Sequence, residues 1–213
     1  MRTVTRATTI AFTDITQHAN EARTGGVSLL PEEISWPENP DGEKLTLAMH
    51  LPARFLNDTF GCTYPEATAI SVFTTYNRNT YFLDNIVYHG DPLELNMIKM
   101  GFTKVIAHSI GQPRNESEFT VPAQAISLGD RIEDEAEASF TGSKLGGSPG
   151  YLQNEDLQVE QFMFCIQLYG GDYPEGYNDI FYLSDSVGYL LLSRNPHLSN
   201  EDEDAGIFFV QCS

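Results

Sequence analysis

The sequence predicts an α+β fold that is predominantly antiparallel β, built by internal duplication of a β-rich unit that a Gly-Gly turn opens. Three observations carry this. Gly25-Gly26 and Gly146-Gly147 each stand shortly before a strongly apolar run of β-type composition. Those runs, Leu45 to Leu51 and Phe162 to Leu168, are followed by further short segments rich in Val, Ile, Thr, Phe and Tyr, which suit a pleated, half-buried surface. Seventeen glycines and eleven prolines also break the chain too often for long helices. The 213 residues read as one domain, with repeat one over about 25–110, an acidic linker near 129–137 and repeat two over about 143–213.

In chain order, the β-branched positions from Arg2 to Phe12 predict a first strand or extended arm, and Ile15 to Arg23 a short helix capped by Asp14. Leu30-Pro31 and Trp36-Pro37 then force extended backbone, because the ring of a proline disfavours the helical region for the residue before it. Leu45, Leu47, Met49 and Leu51 alternate with a strand's period of two, and Pro52 ends the run while opening a helical turn or two over Ala53 to Asp58. Ala69 to Tyr76 reads as a strand that turns at Asn77-Arg78-Asn79 into a second over Tyr81 to Tyr88. Asp91 to Met100 is a short helix or an irregular apolar segment, Thr103 to Ser109 a strand, and Gly111 to Ser117 a polar loop. Gly129 to Glu137 gathers carboxylates against Arg131 and reads as a solvated linker or exposed helix.

In the second half, Phe162 to Leu168 is almost wholly apolar and predicts a strand buried on both faces. Gly170 to Tyr177 is a loop by composition, and Ile180 to Leu183, Gly188 to Leu192 and Ile207 to Cys212 are strands. A single shift of 117 positions carries Leu51 onto Leu168, His50 onto Gln167 and Ile70 onto Val187. A shared register of this kind is what duplication predicts.

Twelve basic against thirty acidic residues leave a formal charge of -18. Such a field repels phosphate backbones and anionic bilayers, which disfavours nucleic-acid and membrane partners; it either serves solubility or steers in a basic protein or peptide partner. Cys62, Cys165 and Cys212 are odd in number and lack CxxC spacing, so neither a disulfide framework nor a zinc site is expected, and a reducing, cytoplasmic setting fits. The apolar stretch from Thr8 to Thr13 is too short for a signal-peptide core, and no run approaches membrane-spanning length.

These motifs, taken in order, resemble the YwqG-like family. Its members carry a Gly-Gly-x-Pro-x-Leu-Pro opening followed by Trp-Pro, an apolar strand ending in Gln, and a later Leu-Gly-Gly-x-Pro turn leading to Gln. Here those features are Gly25-Gly26, Leu30-Pro31, Trp36-Pro37, the 45–51 strand, and Leu145-Gly146-Gly147-Ser148-Pro149 with Gln153. Gln167, Gly188-Tyr189-Leu190 and Phe208-Phe209-Val210-Gln211 fit as well. The chain departs at Ser28, where the family has Pro, and at His50, where it has Gln. The family is also similar to eukaryotic ribosomal-protein chaperones. The resemblance implies a duplicated, mainly β fold and a protein-binding role without an agreed enzyme activity.

The candidate binding residues are therefore the two turns (Gly25, Gly26, Gly146, Gly147), the matched polar pair His50 and Gln167, the aromatics Trp36, Tyr151, Tyr173 and Tyr177, and Gln153. Buried polar side chains need hydrogen-bond partners, so His50 and Gln167 either tie down the glycine turns or line a cleft between the halves. Rigid aromatics near glycines suit either a core or a binding anchor. Catalytic residues are not assigned. No HExxH motif or Gly-x-Ser-x-Gly elbow occurs, and a Cys62–histidine nucleophilic pair stays open. No metal or cofactor is expected, since Asn200, Asp202 and Asp204 begin like a calcium loop but Ala205 and Gln211 stand where Gly and Glu are required. The reading favours a non-enzymatic, cytoplasmic protein-binding module, chaperone-like or immunity-type, with an acidic surface. The alternative is a hydrolase-like enzyme using the same cleft.

Overall fold

The computed structural model describes residues 4–16, 19–135, 142–153, 157–193 and 204–212. Ten strands form one antiparallel sheet that curls into a nearly closed barrel. In chain order they are β1 (Val4–Asp14), β2 (Arg23–Thr24), β3 (Thr46–Pro52), β4 (Thr68–Thr74), β5 (Thr103–Ser109), β6 (Gln124–Glu135), β7 (Lys144–Gly146), β8 (Phe162–Tyr169), β9 (Val187–Ser193) and β10 (Gly206–Gln211). Their order across the sheet is β10-β9-β8-β7-β1-β6-β2-β3-β4-β5. The outer strands β5 and β10 approach each other, with the Ala205 amide donating to the Val105 carbonyl (2.7 Å) and the Thr103 hydroxyl to the Phe208 carbonyl (2.7 Å). That contact brings the sheet round on itself and shelters both edges.

The interior is a single apolar core fed by both halves. Met49, Leu51, Ile70, Val72, Val105 and Ala107 meet Ile166, Leu168, Leu190, Leu192, Phe208 and Val210 there. Each such buried aliphatic or aromatic side chain contributes on the order of 1.5–3 kcal/mol. Two further clusters lie apart from it. Leu30, Trp36, Leu45, Leu47 and Phe73 form one, and Tyr88, Leu95, Leu157, Val159, Val187, Tyr189, Leu191, Ile207 and Phe209 the other. The segments that follow the two Gly-Gly turns thus each contribute to a cluster of their own.

Three short α-helices sit in the connections among the described residues, α1 (Ala53–Phe60), α2 (Leu83–Ile86) and α3 (Pro92–Met97), the last running on into a π-helical turn over Ile98–Phe102, and Gly170–Asp172 makes a single 3-10 turn. Pro52 is the N-cap of α1, one position earlier than the sequence suggests, and Gly61 ends it with left-handed backbone at φ 66°. Asp91 caps α3 by accepting from the Leu93 amide at 2.8 Å. No helix among the described residues is long and apolar enough to cross a membrane.

Several sequence expectations change. β3 is buried along its whole length and not on one face only, because the sheet has an apolar cluster on each side of it. Its alternation is also interrupted, by a register shift between Leu47 and Met49 that leaves Ala48 as the extra residue. The same irregularity occurs in β8 between Phe164 and Ile166, at Cys165. Ile70 faces Leu51 whereas Gly188 faces Leu168, so the second strand pair is displaced by one residue more than the shift of 117. Tyr81 to Tyr88 is not a hairpin partner of β4. The Asn77 side chain accepts from the amides of Asn79 and Thr80, turning the chain into α2. Ile180 to Leu183 is a run of turns, apolar because Ile180 and Phe181 reach the core. The expected helix over Ile15 to Arg23 gives way to non-helical backbone at 15–16 and 19–22 and to the strand β2; Gln17 and His18 lie outside the described residues.

The acidic stretch is neither linker nor helix as far as Glu135: it is the far half of β6, paired with β1 from Val4↔Glu135 to Asp14↔Gln124. On its other side β6 pairs with β2 at Gln124 and Ala125, the Ile126 amide donates to the Ala22 carbonyl, and no strand among the described residues pairs with the rest of that edge. Charged side chains there oppose edge-to-edge pairing with another chain.

The glycines of the two turns are required to different degrees. Gly25, Gly26, Gly146 and Gly147 all have positive φ, between 60° and 79°. A Cβ on Gly25 would meet the Pro122 carbonyl oxygen at 2.5 Å, whereas one on Gly146 would meet nothing nearer than the Arg6 carbonyl oxygen at 3.6 Å. Gly146→Ala is expected to cost about 1–2 kcal/mol, the left-handed penalty alone, and Gly25→Ala clearly more. Urea denaturation of the two variants checks the ordering, and equal losses would contradict it.

Candidate functional site

β2 delivers Arg23 opposite His50 on β3, and β3 delivers His50 opposite Ser71 on β4. Residues opposite one another across neighbouring strands project to the same face, so the three side chains form a row. All are fully buried, and His108 of β5 joins them at 2% exposure. His108 Nδ1 lies 2.7 Å from the Ser109 carbonyl, which only accepts, so Nδ1 carries the proton and Nε2 accepts from the Ser71 hydroxyl at 2.8 Å. His50 Nδ1 faces the same hydroxyl at 3.4 Å, and its Nε2 lies 3.0 Å from Oδ1 of the exposed Asn20. Burial holds His50 down to about 2, with the Arg23 and His108 charges acting in the same direction; His108 is also lowered, mainly by burial. Both rings are therefore neutral near pH 7.

At the matching place in the second half, Lys144 stands opposite Gln167 and Gln167 opposite Tyr189. Here every polar group ties down the turn. Gln167 Oε1 accepts from the Gly150 amide (2.8 Å), its Nε2 donates to the Gly142 carbonyl (2.9 Å), and Tyr189 Oη donates to the Gly150 carbonyl (2.7 Å). Gln211, on β10, accepts from the amides of Leu152 and Gln153 and donates to the Tyr88 and Gln153 carbonyls. The basic residues play a common part: Arg23 donates to the carbonyl of Val27 and Lys144 to that of Ser148 (2.7 Å), each four residues on and across its own Gly-Gly turn.

The other sequence candidates are spread over the molecule. Trp36 is 3% exposed, donates to the Leu45 carbonyl (2.9 Å), meets Phe73 edge-on at 5.3 Å and lies under the Arg114 guanidinium. Tyr151 belongs to a different cluster, 5.1 Å from Tyr189, so the two aromatics do not share a surface. Gln153 closes the chain end by donating to the Cys212 carbonyl. Tyr173 is buried against Phe181, and burial raises its hydroxyl. Tyr177 carries the Arg78 guanidinium at 4.2 Å from its ring centre. Gly25 and Gly26 are packed, their amides bound to the Ala48 and Val121 carbonyls. Cys62 is half-buried with its thiol raised by burial, which opposes a nucleophilic role. Asn200 and Asp202 lie outside the described residues, while Asp204 pairs with Lys104 at 3.5 Å. Among the described residues no group of three or more acidic, cysteine or histidine side chains could hold a metal ion.

Two open hollows meet at Asn77. One, of about 420 Å³, has Tyr76 and Phe119 among its lining, with Glu43, Glu116, Glu118 and Lys44. The other, of about 220 Å³, is lined by Arg78, Tyr81, Phe82, Asp179 and Tyr182. Arg78 donates to the Tyr76 hydroxyl, which donates to Asp179 (2.9 Å), fixing the wall between them. Sequence reasoning missed this face because its residues come from loops with no periodicity. It also missed Arg23, although a basic residue two places before each Gly-Gly was a visible signal.

As a nucleophile–base pair, Ser71 and His108 have the distance but not the access, since neither reaches solvent. Comparison with known proteins gives no relative: no protein-family model matches the chain, and no curated protein matches it.

The buried histidines make stability depend on pH. Below about pH 6.5 the unfolded chain takes up protons that the folded one excludes, so this contribution is complete above that pH and is lost as pH falls, by about 1.4 kcal/mol per unit for His50, with His108 acting in the same direction. His50→Gln, which copies Gln167, is expected to lose about 2 kcal/mol less than the wild type between pH 7 and pH 4.5. Denaturant titrations at each pH read this difference, and parallel profiles would refute it.

Proposed function

We propose that the chain is a non-enzymatic, cytoplasmic protein-binding module that captures a basic partner on the face where the two hollows meet. The observation that carries this reading is Tyr182. It has φ 73°, the one non-glycine residue with positive φ among the described residues, and its ring is 36% exposed. Left-handed backbone costs an L-residue about 1–2 kcal/mol, and strain of this kind gathers at sites of function. The strain holds the Tyr182 ring against Tyr81 at 4.9 Å and Phe82 at 5.4 Å, and Tyr81 itself is 55% exposed.

The chemistry of the face supports a cationic partner. Glu118 makes no hydrogen bond or ion pair among the described residues, and Glu43 and Glu116 stand beside it. Against a charge of -18, approach of a basic chain is accelerated by the field, and exposed aromatics offer cation–π and apolar contact once it arrives. A chaperone-like holder of a basic client and an immunity-type protein that neutralises a toxin are two forms of the same reading. The enzymatic alternative would rest on Ser71–His108 and would need that buried row to open.

The architecture is read as α+β with two copies of one unit, and the resemblance to the YwqG-like family is part of the proposal. Its support is positional. Arg23 and Lys144, the two Gly-Gly turns, the irregularities at Ala48 and Cys165, and His50 and Gln167 occupy matching places in matching strands.

The test is binding of a lysine-rich peptide, and of basic proteins from the source lysate, to immobilised wild type and to a Tyr81→Ala, Tyr182→Ala variant with Glu118→Lys. The wild type should retain them at low salt and release them at high salt, and the variant should bind at least tenfold more weakly with an unchanged melting temperature. Equal retention by both proteins, or retention that ignores salt, would overturn the proposal.

A further inference from the structure

Arg23 is a cation with no charge partner among the described residues. Its side chain is fully buried, Nη2 donates to the Val27 carbonyl, and Nε and Nη1 have no hydrogen-bond partner among the described residues. Its guanidinium is lowered to about 10 by burial, which leaves it charged at neutral pH. Removing an ion from water costs several kcal/mol unless other groups solvate it, and native proteins seldom leave two charged donors unmet. In the second half the matching polar groups Gln167, Tyr189 and Gln211 are all engaged with the turn; in the first half they are replaced by His50, Ser71 and His108, and the donors of Arg23 are left over.

We propose that Arg23 is the receptor for a small monovalent anion, a halide or a carboxylate group, bound beside His50 and Ser71 beneath Asn20. Charge selects the valence: one guanidinium among neutral neighbours is balanced by one negative charge, and a dianion would leave an excess charge buried. The opposed row satisfies itself: Ser71 donates to His108, and rotation of the exposed Asn20 amide by 180° turns its NH₂ toward His50 Nε2, leaving the His50 Nδ1 proton for Ser71, so the donors for an anion are Arg23 Nε and Nη1. Access runs past Asn20, the exposed residue whose side chain touches the row. This site is separate from the aromatic face at Asn77, so its fate does not depend on the partner proposed above.

The experiment is thermal denaturation of the full chain in chloride, bromide, formate, acetate and sulfate, at constant ionic strength maintained with sodium gluconate, whose carboxylate carries a polyol chain too large for a site buried beneath Asn20. Chloride, bromide or a small carboxylate should raise the melting temperature saturably, by about 5 °C at a hundredfold excess over its dissociation constant, with sulfate weaker. Arg23→Met should abolish the rise. Because that variant can also lose its turn, crystals of the wild type grown in sodium bromide supply a second readout: an anomalous peak within hydrogen-bond distance of Arg23 Nε or Nη1 is expected. A water without anomalous signal at that place, a melting temperature indifferent to the anion, or an undiminished rise in Arg23→Met would each overturn the proposal.

Discussion

The pairing of β1 with β6 is the interaction on which the rest of the molecule depends. β7 joins the sheet through β1, and β2 joins it through β6, so among the described residues the backbones of the two groups of four strands are linked only across this ribbon and at the β5–β10 approach. The register of β1 on β6 therefore sets how the halves face each other, and with it whether Leu51 and Ile70 can share a core with Leu168 and Leu190. These are contacts between residues more than a hundred positions apart. They reward the chain only after most of it has been ordered, which makes the closure cooperative and slow to nucleate.

Once the ribbon is formed, each half faces the same local problem. A chain leaving a strand through two left-handed glycines exposes carbonyls that the sheet cannot satisfy, and a buried cation two residues earlier reaches over to one of them. The halves differ in what surrounds that cation. Gln167 and Gln211 can donate and accept at once, so two side chains satisfy several backbone groups of the 150–153 segment. A neutral histidine has one donor and one acceptor, and His50 and His108 spend theirs on Ser71, Asn20 and Ser109. The 27–34 segment is then held from elsewhere, by Arg114, which donates to the carbonyls of Leu30, Pro31 and Ile34. The two sides of the barrel thus hold the segments after their Gly-Gly turns with different sets of hydrogen bonds.

The strands around the core were legible because burial on a sheet leaves a compositional mark: β3, β4, β5, β8, β9 and β10 all coincide with runs of β-branched, aromatic and aliphatic residues. What escaped was decided by partners remote in sequence. β6 carries Asp130, Glu133 and Arg131 where no described strand pairs with its outer edge, a fact invisible until β1 is seen beside it. Ile180 and Phe181 are apolar because they cap the interior, and a short apolar run alone cannot distinguish a strand from such a plug. Of the candidate site, the positions of His50 and Gln167 on matching strands could be inferred from their spacing, but their neighbours could not. Ser71 and His108 come from other strands, and nothing in their local sequence marks them as polar residues within a buried row.

The acidity takes on a different meaning at different depths. On the outer edge of β6 it opposes strand pairing with another chain, and around Asn77 it accompanies the exposed rings of Tyr81 and Tyr182. Both effects operate through solvent, where salt screens a charge beyond about 10 Å. Arg23 lies on the other side of that boundary, buried and unscreened, with no carboxylate bound to it among the described residues. A strongly negative surface lowers the cost of keeping such a cation inside, since the summed field of the carboxylates stabilises positive charge even without a contact. It also repels any free anion that would neutralise the guanidinium directly, so only local donors can hold one there. The unpartnered Nε and Nη1 of the guanidinium meet that condition, whereas Lys44, already held between Glu38 and Glu116, does not.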